Sequence, residues 1–103
     1  MNFNEQKKAF IKTKAWRDFT KELKAERKVD ALTLAKLRKG STSHHLDLNP
    51  DNYEVLDKAN FETLNIKSHE VVHFMYNYYK KDPAIIDRLK DILHKMVELN
   101  GDW

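Results

Sequence analysis

Residues 60–73 read NFETLNIKSHEVVH, and the spacing of their apolar residues changes partway through the stretch. In 61–66 the residues alternate with a period of two, which predicts a short strand. Ser68 is a suitable N-cap, and after it the apolar residues of 69–81 recur at helical spacing until Pro83 ends the pattern. We therefore predict a strand that is followed closely by a helix.

A second strand is predicted upstream, over residues 41–46, which include the adjacent pair His44 and His45. The Asn-Pro-Asp-Asn sequence at 49–52 indicates a turn, because proline presets φ and Asn or Asp side chains bond the local backbone. We predict that a long loop reaching Asn60 joins the two strands into an antiparallel pair. Because neighbouring side chains of a strand point to opposite faces, only one of the two histidines easily joins a given metal site.

Helical patterns flank this central part. Residues 13–28, beginning at a threonine suited to N-capping, predict an amphipathic helix, and 83–100 predict a final packing helix. Segment 29–40 fits either a short helix capped by Asp30 or a turn followed by a strand, and we favour a short helical turn. The aromatic residues on helical stripes are expected in the core, namely Trp16, Phe19, Tyr76 and Tyr79.

Composition bounds the class of protein. A chain of 103 residues predicts a single domain, 1–103, with a basic helical part over 1–40 and a central part over 41–81. The chain has no cysteine, which excludes disulfides and Cys-based zinc sites. Residues 1–40 hold 12 Lys/Arg against 5 Asp/Glu, net +7, so a polyanion would be drawn to that half. With neither a signal peptide nor a membrane span in the pattern, we expect a cytoplasmic protein.

Four of the five histidines fall between His44 and His73. Two imidazoles four residues apart on a helix share one face, so His69 and His73 are suited to bind one divalent metal. The string HEVVH also matches the zinc-protease pattern H-E-x-x-H, with Glu70 as general base and His94 or Glu98 as a third ligand. That interpretation leaves His44, His45 and Asn60 without a role.

A His-His pair on a strand, an Asn fifteen residues later, and two further histidines four residues apart resemble the HNH (ββα-metal) endonuclease family. The resemblance is closest to small phage-encoded HNH endonucleases with colicin-type histidine spacing, and it covers residues 41–80 best. It implies an α+β fold in which a ββα-metal (His-Me finger) hairpin and helix pack against flanking N- and C-terminal helices. It also implies that His44, His69 and His73 are metal ligands. His45 would be the general base, and Asn60 would brace the loop.

The resemblance further implies hydrolysis of DNA phosphodiester bonds, by nicking or double-strand cleavage, with one divalent ion (Mg, Mn, Ni or Zn) and no small-molecule cofactor. We therefore expect DNA, and not a membrane, as the partner. If the protein is phage-encoded, we expect it in the cytoplasm of the bacterial host. A phage or packaging protein as a further partner is left open. Basic residues expected to contact DNA are Arg17, Arg38, Lys39 and Lys67. Two alternatives stay open: a non-catalytic nucleic-acid or protein-binding module with an HNH-like fold, and the HExxH metalloprotease.

Overall fold

The computed structural model describes residues 2–101 and shows a mixed α+β chain. Its helices are α1 (Phe3–Phe10), α2 (Lys14–Arg27), α3 (Ile66–Tyr79) and α4 (Ala84–Asn100), and its strands are β1 (Thr42–His45) and β2 (Phe61–Leu64). Short 3-10 turns lie at Pro50–Asn52 and Lys58–Asn60, within the loop that joins the strands. The predicted α+β class is confirmed at this level. Within residues 2–101, no helix combines the length and apolar character that crossing a bilayer requires.

Contacts divide the chain into two units, one ending at His69 and the other beginning at Glu70. The boundary falls inside α3, which is a continuous helix. The first unit holds α1, α2, both strands and the first turn of α3, and the second holds the rest of α3 and α4. The assignment of 1–103 to one domain stays a prediction.

Local capping fixes the two N-terminal helices. Thr13 accepts a hydrogen bond from the Trp16 amide at 3.2 Å, and Lys28 closes α2 in a left-handed conformation, so the predicted bounds of this helix are confirmed. Helix α1 is a separate element that the sequence analysis did not single out. Its signal is Asn2, whose side chain accepts from the Glu5 amide at 2.9 Å.

The strands pair antiparallel as predicted, with His44 opposite Glu62 and His45 opposite Phe61. Phe61 is buried and packs with Phe19 and Leu23 of α2, while Trp16 is half-buried against them. The aromatic stripe of α2 therefore forms the core, because its residues at helical spacing face the sheet. The same prediction is wrong for two aromatic residues of α3, Tyr76 and Tyr79, which are 45% and 50% exposed.

Segment 29–40 contains the favoured short helical turn, a single turn over 31–33 in which the Asp30 carbonyl accepts from the Leu34 amide at 2.8 Å. The chain reverses direction over 31–33 and returns to an isolated antiparallel bridge between Val29 and Lys36. The turn does not continue into a helix, because Leu34 adopts a left-handed conformation, with φ of 65°. Of the alternative, a turn followed by a strand, only the isolated bridge at Lys36 is present.

The carboxylate of Asp30 holds this turn and the start of α3 together. One oxygen accepts from the amides of Leu32 and Thr33 at 2.7 and 2.8 Å, and the other accepts from the Asn65 amide at 2.8 Å. The Ser68 side chain also bonds this carboxylate. Burial by itself raises the pKa of the Asp30 carboxyl, but these hydrogen bonds outweigh burial and hold the pKa well below its usual range.

This bonding pattern corrects the predicted start of the third helix. Helix α3 begins at Ile66, so Ser68 is not its N-cap but a buried residue of its first turn. Asp30, far away in the sequence, satisfies the Asn65 amide at the helix N-terminus, where a negative charge is also favoured by the helix dipole. The N-terminus of α3 is therefore capped by Asp30, which is distant in the sequence, and not by Ser68.

Helix α4 ends as predicted. Gly101 adopts φ of 58° and its amide donates to the Val97 carbonyl at 2.8 Å, the usual glycine C-cap. No residue of α4 is buried, and Leu99 is 86% exposed. The assignment of 83–100 as a packing helix stays a prediction.

We expect Asp30→Ala to lower the free energy of unfolding by about 2–4 kcal/mol, because several donors lose a charged acceptor at once. Urea denaturation followed by circular dichroism measures this difference. Asp18→Ala is the matched control, since Asp18 is exposed and makes only a surface ion pair with Lys14, and we expect a change below about 0.5 kcal/mol. Equal effects of the two variants would contradict the prediction.

The depressed pKa of Asp30 also predicts a pH dependence of stability. The pKa of an Asp carboxyl in the unfolded chain is about 3.9, and the pKa of Asp30 in the folded protein is lower. The stabilisation is therefore complete above the unfolded pKa and is lost as the pH falls towards the folded pKa. The difference in unfolding free energy between the wild type and Asp30→Ala should therefore be constant near neutral pH and shrink below about pH 4. A difference independent of pH down to about pH 2 would contradict this assignment.

Candidate metal centre

Strand β1 and the first turn of α3 bring His44 and His69 together. Their ring centroids lie 5.0 Å apart, the rings meet at 69°, and both residues are half-buried. A single residue, Asn65, separates the end of β2 from the start of α3, so the helix begins beside the strand that pairs with β1. The short connection leaves α3 little freedom in where it presents His69.

His73 follows His69 by one turn of the same continuous helix, on the same face. One side-chain nitrogen of each of His44, His69 and His73 can be chosen so that all three lie within 4.8 Å of one another. These are the three residues that the resemblance implies as metal ligands. The structure brings them together, and their role as ligands stays a prediction.

The donor set fits a divalent cation. Imidazole nitrogens bind zinc at about 2.0–2.1 Å, so two of them on one tetrahedral ion lie roughly 3.3 Å apart. The nitrogens of the three histidines lie within 4.8 Å of one another, so the rings would have to move closer together to bind one ion. Three neutral imidazoles would leave one tetrahedral position open, which is typical of catalytic rather than structural sites. Of the predicted metals, zinc and nickel suit imidazole best, while magnesium and manganese prefer oxygen ligands.

His45 has a different environment from its neighbour. Its ring stacks between Tyr53, 4.4 Å away at 13°, and Trp16, 5.6 Å away at 10°. Its Nε2 lies 3.0 Å from the Tyr53 carbonyl oxygen. A carbonyl oxygen can only accept, so Nε2 carries the proton, and in the neutral ring Nδ1 is left as an acceptor. Burial lowers the pKa of His45, although the bond to Tyr53 partly opposes this shift.

Tyr53 is a site residue that the sequence analysis missed. The turn at 49–52 was recognised, and Tyr53 follows it directly, but nothing in the spacing indicates that the turn returns the chain to His45. Asp47 stabilises this return, because its carboxylate accepts from the Asn49 amide at 2.9 Å and from the Asn52 side chain at 2.8 Å. Tyr53 therefore contacts His45 in two ways, through its ring and through its carbonyl oxygen.

Asn60 closes the same loop through its main chain. Its carbonyl accepts from the Leu46 amide at 2.8 Å, just past the end of β1, and its amide donates to the Asp57 carbonyl at 2.9 Å. Within residues 2–101, the Asn60 side chain makes no hydrogen bond, so the loop is braced by backbone atoms in this structure. The side-chain role implied for Asn60 stays a prediction.

The four basic residues predicted to contact DNA are all exposed. Arg17 lies on α2, Lys67 on the first turn of α3, and Arg38 and Lys39 in the segment before β1. The Arg38 amide donates to the Asn65 side chain at 2.8 Å, which fixes its backbone and leaves the guanidinium exposed. Their contact with DNA stays a prediction.

The protease interpretation is weakened by the same geometry. The histidine that completes the group comes from β1, upstream of HEVVH, rather than from His94 or Glu98, which are exposed on α4 and outside the group found among the described residues. The sheet in that part of the chain has two strands of four residues each, which offers little edge for binding an extended substrate.

Comparison of the chain with protein-family models, with curated proteins and with solved structures found no match. The interpretation of the histidines therefore rests on their identities, spacing and geometry. The resemblance to HNH endonucleases stays an expectation drawn from the spacing.

We expect the protein to bind one equivalent of Zn²⁺ or Ni²⁺, and alanine substitution of His44, His69 or His73 to weaken this binding by at least about 100-fold, because each removes one of three ligands. Isothermal titration calorimetry measures the affinity. His94→Ala is the matched control, since His94 is an exposed histidine outside the group. Binding that survives in all three variants would show that the histidines do not form a metal site.

Proposed function

We propose that the protein is a divalent-metal-dependent endonuclease that hydrolyses DNA phosphodiester bonds, with β1, β2 and α3 forming an HNH (ββα-metal) site. One observation carries the proposal. Three imidazoles have nitrogens within 4.8 Å of one another, and the residue next to one of them is a fourth imidazole held in a defined tautomer. The spacing of the histidines and the HNH resemblance support the same conclusion.

The residues divide the chemistry between them. His44, His69 and His73 would hold the cation, whose charge, when bound, stabilises negative charge on the phosphate and on the leaving oxygen. His45 would act as general base through Nδ1, taking a proton from the water that attacks phosphorus while the bond to the 3′ oxygen breaks. The oxygen that leaves is protonated, which gives a 5′-phosphate and a 3′-hydroxyl.

The surroundings of His45 suit a base. Its Nε2 is engaged by the Tyr53 carbonyl, so the proton must be accepted at the other nitrogen. Stacking against Tyr53 and Trp16 restricts rotation of the ring. Because burial lowers its pKa, the imidazole is neutral near pH 7 and ready to accept a proton.

We expect the protein to nick supercoiled plasmid in at least one of Mg²⁺, Mn²⁺, Ni²⁺ and Zn²⁺, and His45→Ala to slow nicking by about 10²- to 10⁴-fold, the usual contribution of a general base. Agarose gels of the plasmid over time measure the rate. His45→Ala should still bind metal, which separates loss of the base from loss of the site.

Two control variants sharpen the result. His94→Ala removes an exposed histidine, and Glu70→Gln removes an exposed carboxylate that only the protease interpretation needs; both should nick at close to the wild-type rate. If no ion supports nicking, the protein is a binding module instead. If the protein degrades casein and Glu70→Gln abolishes that activity, it is a metalloprotease.

A further inference from the structure

Helix α2 separates its charges onto different faces. Its three acidic residues are paired: Asp18 with Lys14 at 3.0 Å, and Glu22 and Glu26 with Lys58 at 3.1 and 2.7 Å. Because these carboxylates are each close to an ammonium group, they cancel little of the positive charge elsewhere on the helix.

The positive charge lies along another stripe of the helix region. Arg17, Lys21 and Lys24 follow one another at intervals of four and three residues, the spacing that keeps side chains on one helix face, and Lys28 follows as the C-cap just after the helix. Among residues 2–101, none of these four side chains forms an ion pair with a carboxylate. The stripe is therefore a continuous row of uncompensated cations.

The stripe leads into a groove of about 640 Å³ within the first unit. Four of the residues that line it are basic, none is acidic, and the basic ones are Lys24, Lys28, Lys36 and Arg38. The groove lies between the C-terminal end of α2 and the segment that precedes β1. The four basic residues, with no acidic residue beside them, favour an anion over a cation in this groove.

Two of these lysines, Lys24 and Lys28, lie in energetically unfavourable environments. The Lys24 ammonium donates to the Ser41 carbonyl at 2.6 Å, and partial burial lowers the pKa of Lys24. Lys28 occupies the left-handed position that closes α2, with φ of 68°, where glycine is usual and other residues are strained by about 1 kcal/mol. An anion in the groove would stabilise the positive charge of both side chains.

The groove is close to β1 along the chain. Ser41, which lines the groove, precedes His44 by three residues, so at about 3.3 Å per residue the two positions are roughly 10 Å apart along the strand. In a B-form duplex, about 3.4 Å of axis separates successive phosphates of one strand. A polyanion with regularly spaced charges could therefore occupy the groove and reach His44 at the same time.

We propose that this groove binds phosphates of the DNA backbone beside the bond that is cut. The inference rests on the proposed function for the choice of DNA, while the anion selectivity follows from the groove itself. Lys28, Lys36 and Arg38 would contact phosphates as positive charges and contribute affinity without base specificity. Lys24 would keep its bond to Ser41 and add its charge to the same anion.

The test uses the His45→Ala protein in EDTA, so that binding is measured without cleavage. Fluorescence anisotropy of a labelled duplex is recorded over a series of KCl concentrations. Each phosphate contact contributes about 0.9 to the slope of log Kd against log salt. We expect the double variant Lys36→Gln/Arg38→Gln to reduce the slope by about 1.8 and to weaken binding at least about 10-fold in low salt.

A double variant with the same loss of charge, Lys90→Gln/Lys95→Gln, is the matched control, because both residues are exposed on α4 and neither lines the groove. Thermal melting confirms that both variants are folded. If the control changes the slope as much as the groove variant, or if neither changes it, the proposal is wrong.

The outcomes for the two proposals are separable. Loss of nicking in every ion, with the groove effect on duplex binding intact, would overturn the endonuclease and keep the groove. Nicking by the protein, with an unchanged salt slope in the groove variant, would keep the endonuclease and overturn the groove proposal. Vesicles containing phosphatidylserine provide a further arm: binding to them that exceeds duplex binding, with the same dependence on Lys36 and Arg38, would assign the groove to a membrane surface and overturn the DNA proposal.

Discussion

The carboxylate of Asp30 is the interaction on which the candidate site depends most. It is fully buried, and its oxygens join the turn after α2 to the first residues of α3. The Ala31 amide donates to the Thr63 carbonyl at 2.9 Å and the Thr63 hydroxyl donates to the Val29 carbonyl at 2.9 Å, so β2 is attached to the same turn. A negative charge at a helix N-terminus is favoured by the helix dipole, and here it also determines where the helix starts. His69 lies one residue after Ser68, so its place beside β1 follows from this anchor.

Strand geometry then gives two adjacent histidines different surroundings. His44 faces α3 and meets His69, while His45 points to the other face and lies between Tyr53 and Trp16. The first environment is suited to metal coordination because imidazole nitrogens converge there. The second holds a neutral ring with one nitrogen engaged, which is what a general base needs. One strand of four residues thus provides the proposed general base and one of the three proposed metal ligands, and α3 provides the other two.

Helix α2 serves the proposed function on two faces. Phe19 and Leu23 form the core with Phe61 and so support the sheet that carries the histidines. The basic stripe lies on another face, and the acidic residues of the helix are neutralised by Lys14 and Lys58. Residues 24–40, where the chain passes from α2 to β1, hold six Lys/Arg against two Asp/Glu and so carry +4 of the +7 net charge of residues 1–40. In the proposed endonuclease, that arrangement draws the substrate backbone to the strand that bears His44.

The sequence alone determined those features of the fold that depend on interactions between residues close together in the chain. The bounds of α2 and the end of α4 follow from Thr13 and Gly101, which bond backbone groups within one turn, and the pairing of β1 with β2 follows from their periodicity. The grouping of His44, His69 and His73 was expected from helix and strand geometry and from the resemblance of their spacing. Tertiary structure alone decided the start of α3, the bridge between Val29 and Lys36, the stacking of Tyr53 on His45 and the exposure of Tyr76 and Tyr79. Each of these depends on contacts between distant residues, such as Asp30 with Asn65, or on which faces the fold leaves uncovered, and periodicity carries no information about either.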